Sequence, residues 1–257
     1  MAGKDEYYNR AKQQGYRARS AYKLKQLDRE LDLISSGDTV VDLGAAPGGW
    51  LQVAAEKAGS HGRVIGVDLQ RIDDVEKGDA PVETIRGDMT EDETKEKVRK
   101  AADGRVNTVV SDMAPNMTGE YNLDHARSAY LAQQALETAD DLLGEGGNFV
   151  AKIFQGQDLE QFQADVEREF AFTRTLSPDA SRDASSEVYV VGKNKLTGPV
   201  RVGDELDVEI VDEGEEGDGI AKVDGFTLFV PDGELGDEVH VEVVDVKPRF
   251  AFAEIRD

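Results

Sequence analysis

Residues 40–50 constrain the fold more than any other part of this chain. They read Val-Val-Asp-Leu-Gly-Ala-Ala-Pro-Gly-Gly-Trp. The two valines favour a buried strand, and the glycines allow a sharp turn in which the backbone can lie close to a ligand, because no Cβ intervenes. A helix that starts directly after the turn would complete the strand, turn and helix of a nucleotide-cofactor site. The motif therefore predicts an α/β sheet that binds a ligand beyond the carboxyl end of this strand.

The spacing of the glycines and one carboxylate indicate which cofactor to expect. A dinucleotide-binding turn has the pattern Gly-x-Gly-x-x-Gly and holds a pyrophosphate at the helix N-terminus. Here Ala-Ala-Pro follows Gly44, and Asp42 stands two positions before it. A pyrophosphate is disfavoured beside this carboxylate, whereas S-adenosylmethionine has a positive sulfonium, an ammonium group and a ribose diol. The motif favours this methyl donor; the alternative is an ordinary strand-to-helix turn.

Length and composition narrow the class of protein further. A chain of 257 residues suggests one large or two unequal domains. No apolar run approaches the roughly 20 residues that cross a bilayer, and the N-terminus has no secretory signal. The absence of cysteine excludes disulfides and thiolate metal sites. We therefore expect a cytoplasmic protein that uses no metal and does not bind a membrane.

The charge of the chain is extreme and unevenly distributed. The formal net charge is -23, although proteins that bind nucleic acid usually present a basic surface. Residues 1–25 contain seven basic and two acidic side chains, whereas residues 197–257 contain five basic and 18 acidic ones. An acidic surface of this kind suits a protein adapted to molar salt, where screening limits self-repulsion. Halophilic origin is therefore our hypothesis; the alternative is an ordinary acidic cytosolic enzyme.

Apolar runs alternate with amphipathic stretches over residues 39–192, which is typical of a parallel sheet flanked by helices. The predicted strands are residues 39–43, 63–69, 82–86, 106–111, 148–154, 172–176 and 187–192. The predicted helices are residues 49–58, 91–102, 124–143 and 159–169. Only a loop separates the last two strands, so we expect an antiparallel hairpin there. This order predicts the Rossmann-like, seven-stranded sheet of S-adenosylmethionine-dependent methyltransferases.

The pattern changes after Lys195 to short strands separated by glycine-containing turns. The predicted strands here are residues 205–212, 219–223, 226–230, 238–246 and 249–255. Such spacing indicates a small β-barrel. We therefore expect two domains, residues 1–195 and residues 196–257, with the boundary near Thr-Gly-Pro at residues 197–199.

Polar residues end the predicted parallel strands, where a cofactor would lie. Asp68 is placed to accept hydrogen bonds from ribose hydroxyls, and Asp88 to accept one from an adenine amino group. Each of them could instead be a solvated loop carboxylate. Asp112 is followed by Met-Ala-Pro-Asn and lacks the aromatic residue that enzymes methylating base amino groups use to stack a flipped base. Lys152 lies inside an apolar strand, where an ammonium group needs a partner or a task.

Five ordered segments resemble the FtsJ/RrmJ family of RNA ribose 2′-O-methyltransferases. They are RARSAYKL at residues 17–24, VDLGAAPGGW at 41–50, SDMAPN at 111–116, KIFQG at 152–156 and SEVY at 186–189. The similarity covers nearly all of residues 5–193. The C-terminal part resembles a TRAM domain, with GDGIAK at residues 217–222 and DGFTLFVP at 224–231.

The resemblance implies a set of site residues. A catalytic Lys-Asp-Lys-Glu tetrad falls on Lys23, Asp112, Lys152 and Glu187. Cofactor-binding positions fall on Gly48, Trp50, Asp68, Asp88 and Asp112. A ribose hydroxyl is a poor nucleophile near neutral pH, so we expect Lys152 to accept its proton and Lys23 to stabilise the alkoxide. Asp112 and Glu187 would orient the two ammonium groups; the alternative for Lys152 is a structural ion pair with Glu187.

The predicted substrate is a uridine 2′-hydroxyl in large-subunit (23S) ribosomal RNA, modified by a monomer on the assembled subunit. A basic N-terminal helix is expected to contact phosphates, and Phe226 and Phe229 of the TRAM-like barrel offer base stacking, although one of them must fill the barrel core. The acidic barrel could equally be a protein-contact or stabilising module. Two alternatives for the whole chain remain: a tRNA ribose 2′-O-methyltransferase, and a noncatalytic RNA-binding ribosome-assembly factor.

Overall fold

The computed structural model describes residues 6–181, 186–214 and 217–256. The helices are α1 (Glu6–Gln13), α2 (Ala21–Leu31), α3 (Gly49–Ala58), α4 (Asp92–Ala102), α5 (Tyr121–Leu142) and α6 (Leu159–Glu169). The strands of the first part are β1 (Thr39–Leu43), β2 (Arg63–Asp68), β3 (Val82–Arg86), β4 (Val106–Ser111), β5 (Leu143–Phe154), β6 (Phe170–Leu176) and β7 (Glu187–Lys195). Those of the second part are β8 (Glu205–Glu213), β9 (Gly219–Val223), β10 (Phe226–Val230), β11 (Glu238–Val246) and β12 (Phe250–Ile255).

The first seven strands form one sheet in the order β3-β2-β1-β4-β5-β7-β6. Neighbouring strands from β3 to β5 pair in parallel, and β7 runs antiparallel to both β5 and β6. The predicted Rossmann-like sheet and its closing hairpin are therefore confirmed. Because β7 is antiparallel, its first residue lies at the edge of the sheet where the parallel strands end.

Two apolar layers cover the sheet. One layer packs α1, α2 and α3 against one face through residues such as Leu24, Leu27 and Leu51. The other packs α4, α5 and α6 against the opposite face around Phe149 and Val109. Burial on both faces explains the consecutive apolar residues at 40–41 in β1, 109–110 in β4 and 149–151 in β5.

Strand β5 begins earlier than predicted. We expected it at residue 148, but it begins at Leu143, which pairs with Val106 before a register shift. The segment Leu-Gly-Glu-Gly-Gly has poor intrinsic strand propensity. Pairing with β4, a tertiary contact, extends the strand through it.

The basic N-terminal segment differs from the prediction of one helix. Helices α1 and α2 are separated by residues 14–20, in which Gly15 adopts a φ of +75°. The amide of Tyr16 donates to the carbonyl of Ala11 and closes the turn. This backbone conformation suits glycine and ends α1. Lys4, one of the basic residues counted in this segment, lies outside the described residues.

The last five strands form a closed barrel in the order β10-β12-β11-β8-β9. Its core contains Ile210, Leu228 and Val243, all buried. At the junction with the α/β part, Glu169 at the end of α6 forms two ion pairs. Its Oε2 lies 2.5 Å from Nζ of Lys195 and 3.0 Å from Nη2 of Arg201. These contacts anchor both ends of the segment that links sheet and barrel.

Within the part of the chain that the structure describes, no helix is both long enough and apolar enough to cross a bilayer.

Candidate active site

The loop between β1 and α3 has the geometry of a ligand cradle. Gly44 and Gly48 have φ values of +78° and +106°, which favour glycine. A Cβ on Gly44 would lie 2.8 Å from Cγ of Met113, and one on Gly48 would lie 2.9 Å from Nη1 of Arg17. The two glycines therefore let this loop approach neighbouring groups more closely than any other residue could.

Arg17 holds the cradle from the N-terminal side. Its Nη1 donates to the carbonyls of Pro47 at 3.2 Å and Asp73 at 2.7 Å, and its Nη2 donates to the carbonyl of Asp74. Arg17 belongs to the segment that we expected to contact phosphates. Its guanidinium donates to backbone carbonyls and so supports the loop, while phosphate contact by this segment stays a prediction.

Asp68 and Asp88 lie at the predicted edge of the sheet. Asp68 ends β2, and its carboxylate accepts the amides of Ala46 at 2.9 Å and Gln70 at 2.7 Å. Asp88 follows β3, and its Oδ1 accepts the amide and the hydroxyl of Thr90 at 2.9 and 2.8 Å. Both carboxylates are held by neighbouring donors, and Asp68 is tied directly to the glycine loop.

Trp50 lies in the interior and not on an open face. Its indole Nε1 donates to the carbonyl of Ser20 at 2.8 Å, and its ring lies 5.8 Å from that of Tyr189. The side chain therefore joins α3 to the start of α2. The prediction that Trp50 binds cofactor stays a prediction, and only its backbone is near the turn.

Asp42 is the most unusual carboxyl group of the cradle. It is fully buried in β1, and neither of its side-chain oxygens has a hydrogen-bond partner within the described part of the chain. Burial raises the pKa of this carboxyl well above its usual range, and the charges of Asp112 and Asp68 raise it further. A buried acceptor without a donor fits a site that receives a cationic ligand.

The four residues of the predicted tetrad come together at the carboxyl edge of the sheet. Lys152 Nζ lies 2.9 Å from Oδ1 of Asp112 and 2.7 Å from its carbonyl oxygen. Lys23 Nζ lies 2.8 Å from Oε2 of Glu187 and 3.9 Å from Oδ1 of Asp112. Lys152 thus pairs with Asp112 and not, as the structural alternative supposed, with Glu187. Both lysines are buried, whereas the two carboxylates are partly exposed.

Tyr189 is a member of this cluster to which we assigned no role from the sequence. Its hydroxyl donates to Oδ1 of Asp112 at 2.7 Å and accepts from Nζ of Lys23 at 2.9 Å. Burial, followed by the charge of Asp112, raises the pKa of this phenol well above its usual range. It therefore remains a proton donor to Asp112. Its place in the SEVY segment, two residues after Glu187 in a strand, was the available signal, because such residues share one face.

Four separate elements supply the cluster. Lys23 is on α2, Asp112 directly follows β4, Lys152 is on β5 and Glu187 begins β7. In the antiparallel β5–β7 pair, Lys152 lies opposite Tyr189, and Phe154 lies opposite Glu187. This register carries two side chains of β7 to the end of β5, and residues up to 166 positions apart meet in one site.

A doubly wound sheet with a glycine cradle, two buried lysines and two partly exposed carboxylates has the architecture of an α/β methyltransferase. A family model described as FtsJ-like methyltransferase matches residues 16–195, and one described as TRAM domain matches residues 199–255. The chain belongs to the FtsJ-like methyltransferase family. The resemblances that the sequence motifs indicated are therefore confirmed for both parts of the chain.

Similar proteins extend over the full length. Proteins named ribosomal RNA large subunit methyltransferase E from Natronomonas pharaonis and Halobacterium salinarum are 65% and 63% identical over 254 residues. Each alignment covers 99% of this chain, with 99% and 98% of the relatives. A crystal structure of a Plasmodium falciparum protein described as a ribosomal RNA methyltransferase matches with a TM-score of 0.61 at 26% identity, covering 70% of this chain and 98% of that one.

Proposed function

We propose that this protein transfers a methyl group from S-adenosylmethionine to the ribose 2′-hydroxyl of a uridine in large-subunit (23S) ribosomal RNA. The observation that carries this proposal is the contact of Lys152 with Asp112 beside that of Lys23 with Glu187. Relatives at more than 60% identity are named as methyltransferases of this RNA. The chain therefore belongs to a family of methyltransferases and has a site suited to activating a hydroxyl group.

The cradle fits the cofactor. The carboxylates of Asp68 and Asp88 would accept hydrogen bonds from its ribose and adenine, and the backbone at Gly48 and Trp50 would pass close beside it. Buried Asp42 offers negative charge to its cationic groups once it ionises. When bound, the cofactor supplies an electrophilic methyl group on a sulfonium. The residues of the chain must then deliver an aligned and deprotonated oxygen.

Lys152 is the residue that we assign to proton removal. An ammonium group has three donors, and the two described contacts to Asp112 use two of them. In its neutral form, the amine can accept the proton of the 2′-hydroxyl. Asp112 orients the amine through these two contacts, and its side chain is partly exposed.

Lys23 is the residue that we assign to charge stabilisation. Glu187 and Tyr189 fix its ammonium group at 2.8 and 2.9 Å. A preorganised positive charge stabilises a developing alkoxide because it needs no reorganisation during the reaction. Asp112 and Glu187 lie 2.9 and 2.8 Å from one lysine each, so each amine of the cluster has a carboxylate partner that orients it.

The two parts of the chain have different roles in this proposal. We assign catalysis to residues 1–195 and an RNA-contacting role to the TRAM domain in residues 196–257. The protein acts as a monomer in the cytoplasm and prefers the assembled large subunit to its protein-free rRNA. Equal activity on protein-free rRNA and on assembled subunits would contradict the preference for the particle.

Mapping of 2′-O-methyl marks in a strain that lacks this gene tests the substrate. We expect the loss of one mark in large-subunit rRNA and its return when the wild-type gene is restored. Loss of a tRNA mark instead would assign the protein to tRNA. Loss of no mark would favour a noncatalytic assembly factor.

Replacement of Lys152 by alanine tests the mechanism. We expect methyl transfer to large subunits to fall by at least about 100-fold, the lower range for loss of a general base. Cofactor affinity, measured by calorimetry, should change little. Lys100→Ala is the matched control, because Lys100 is an exposed lysine on α4. Near-normal turnover in the Lys152 variant would overturn the assignment.

A further inference from the structure

A row of three aromatic side chains leads from the catalytic strand to the surface. Phe154 ends β5, and its ring centroid lies 5.4 Å from that of His125 in an edge-on contact. The ring of His125 in turn lies 3.9 Å from that of Tyr121, tilted by 33°. His125 is only 8% exposed, whereas Tyr121, the first residue of α5, is 64% exposed. The row therefore ends in an open aromatic face.

This row begins at the catalytic cluster. Phe154 is two residues beyond Lys152 on β5, which is about 7 Å along a strand. Phe154 also lies opposite Glu187 in the β5–β7 pair. Tyr121 therefore lies at the exposed end of a row of rings that starts beside the tetrad, on the side where a flanking nucleotide of the substrate strand would pass.

The position of Tyr121 is fixed by its surroundings. The buried carboxylate of Asp124 accepts the amides of Thr118 and Gly119 at 2.9 and 3.0 Å, and the hydroxyl of Thr118 at 2.9 Å. These bonds secure the loop that joins Asp112 to α5. The hydroxyl of Ser128 accepts the amide of Phe154 at 3.0 Å and ties α5 to the end of β5. A preorganised ring loses little freedom when it binds a partner.

The chemistry around Tyr121 favours nucleic acid as its partner. Met117 and Leu123 are exposed at nearby positions of the chain, and Arg127 is an exposed cation further along the same helix. An exposed aromatic ring offers a stacking face to a base, and a cation on the same helix can contact a phosphate. Arg127 contrasts with the strongly negative charge of the whole chain, -23.

We propose that Tyr121 stacks on a base of the rRNA strand next to the methylated nucleotide and so positions the acceptor. This inference rests on the proposed function and adds a positioning residue to it. Stacking is present before and during methyl transfer, so its loss should affect KM more than kcat. It should also depend on an aromatic ring rather than on apolar character alone.

The test uses the full-length protein and large ribosomal subunits from a strain that lacks this gene. We expect Tyr121→Ala and Tyr121→Leu to raise KM for subunits about 10-fold, within the range for loss of one stacked base, while kcat changes less than about twofold. Tyr121→Phe and Tyr121→Trp should retain a KM near that of the wild type. Cofactor affinity should be the same in all of them.

Tyr130→Ala is the matched control, since Tyr130 is 54% exposed on the same helix but nine residues further from the site. We expect it to leave KM unchanged. If Tyr121→Leu keeps KM as close to the wild-type value as Tyr121→Phe does, the exposed side chain at residue 121 contacts a protein and the stacking proposal is wrong. An unchanged KM in Tyr121→Ala would also overturn it. Absence of methylation by the wild type would instead contradict the proposed function itself.

Discussion

At the scale of single residues, Tyr189 connects the two lysine–carboxylate pairs of the site. Its hydroxyl contacts both Asp112 and Lys23. Tyr189→Phe keeps the buried ring and removes both bonds, and hydrogen bonds to charged groups are each worth about 1.5–3 kcal/mol. We expect kcat to fall roughly 10- to 100-fold, with little change in KM for subunits. Steady-state kinetics measure this.

Tyr16→Phe is the control for this variant. Tyr16 is a second buried tyrosine, and its hydroxyl donates to Glu56. Loss of that bond should leave kcat unchanged. Equal kcat values in the Tyr189 variant and the wild type would show that the phenol does not position the catalytic groups.

Asp42 makes the stability of the folded protein depend on pH. Its raised pKa means that the free folded protein keeps this proton in a range where the unfolded chain, with a carboxyl pKa of about 3.9, has lost it. Stability therefore falls as pH rises from the unfolded towards the folded pKa. Asp42→Asn does not titrate, so the melting temperature of the variant relative to the wild type should rise with pH across this window.

Cofactor binding should remove the proton from the carboxyl group of Asp42. A bound cation lowers the pKa of a nearby carboxyl, so the wild type should release a proton on binding and Asp42→Asn should release fewer. Calorimetry in two buffers of different ionisation enthalpy measures the difference. We also expect affinity to fall about tenfold in the variant, as for loss of one charge interaction. Identical proton release in the two proteins would contradict this role.

At the scale of elements, the barrel directs the two phenylalanines considered for base stacking to different faces, since one of them is needed near the core. Along β10, Leu228 and Val230 are buried, and Phe229 lies on the outer face. Its ring lies 5.6 Å from both Phe250 and Phe252 of the neighbouring strand β12. Phe226, the other residue that we expected to stack on bases, packs near the barrel core and against Gly198.

Phe229→Ala tests whether this outer cluster contacts RNA. Loss of one stacked base corresponds to about 1–3 kcal/mol, so we expect affinity for large subunits to fall roughly 5- to 100-fold. Filter binding or fluorescence anisotropy measures it. Val211→Ala, an exposed apolar change on β8 of the same barrel, is the control. Equal affinities would favour a protein-contact or stabilising role for the TRAM domain.

At the scale of the whole molecule, charge governs the conditions under which the chain folds. The net charge of -23 fits relatives from halophilic archaea such as Natronomonas pharaonis and Halobacterium salinarum. At about 1 M salt, screening acts over roughly 3 Å, and repulsion between surface carboxylates becomes small. Circular dichroism should therefore show a folded protein in molar potassium chloride and loss of structure on dilution. An unchanged melting curve at low salt would contradict adaptation to salt.

The sequence by itself determined the succession of strands along the chain and the glycine motif, and its resemblance to a family pointed to the four residues of the predicted tetrad. Alternation of apolar and amphipathic segments is a local signal, and the bounds of β1, β3, β4 and α3 agree with the prediction to the residue. The cradle and the motifs also depend on neighbouring residues, so they can be read without a structure.

Only the tertiary structure decided which groups touch. The pairing of Lys152 with Asp112, the bridging hydroxyl of Tyr189 and the extension of β5 depend on strand register and on contacts between distant segments. The same holds for Arg17, whose guanidinium donates to the carbonyls of Pro47 in the glycine loop and of Asp73 and Asp74. A side chain's partner depends on three-dimensional proximity and burial. Both are set by how distant segments pack together, so a single sequence does not reveal them.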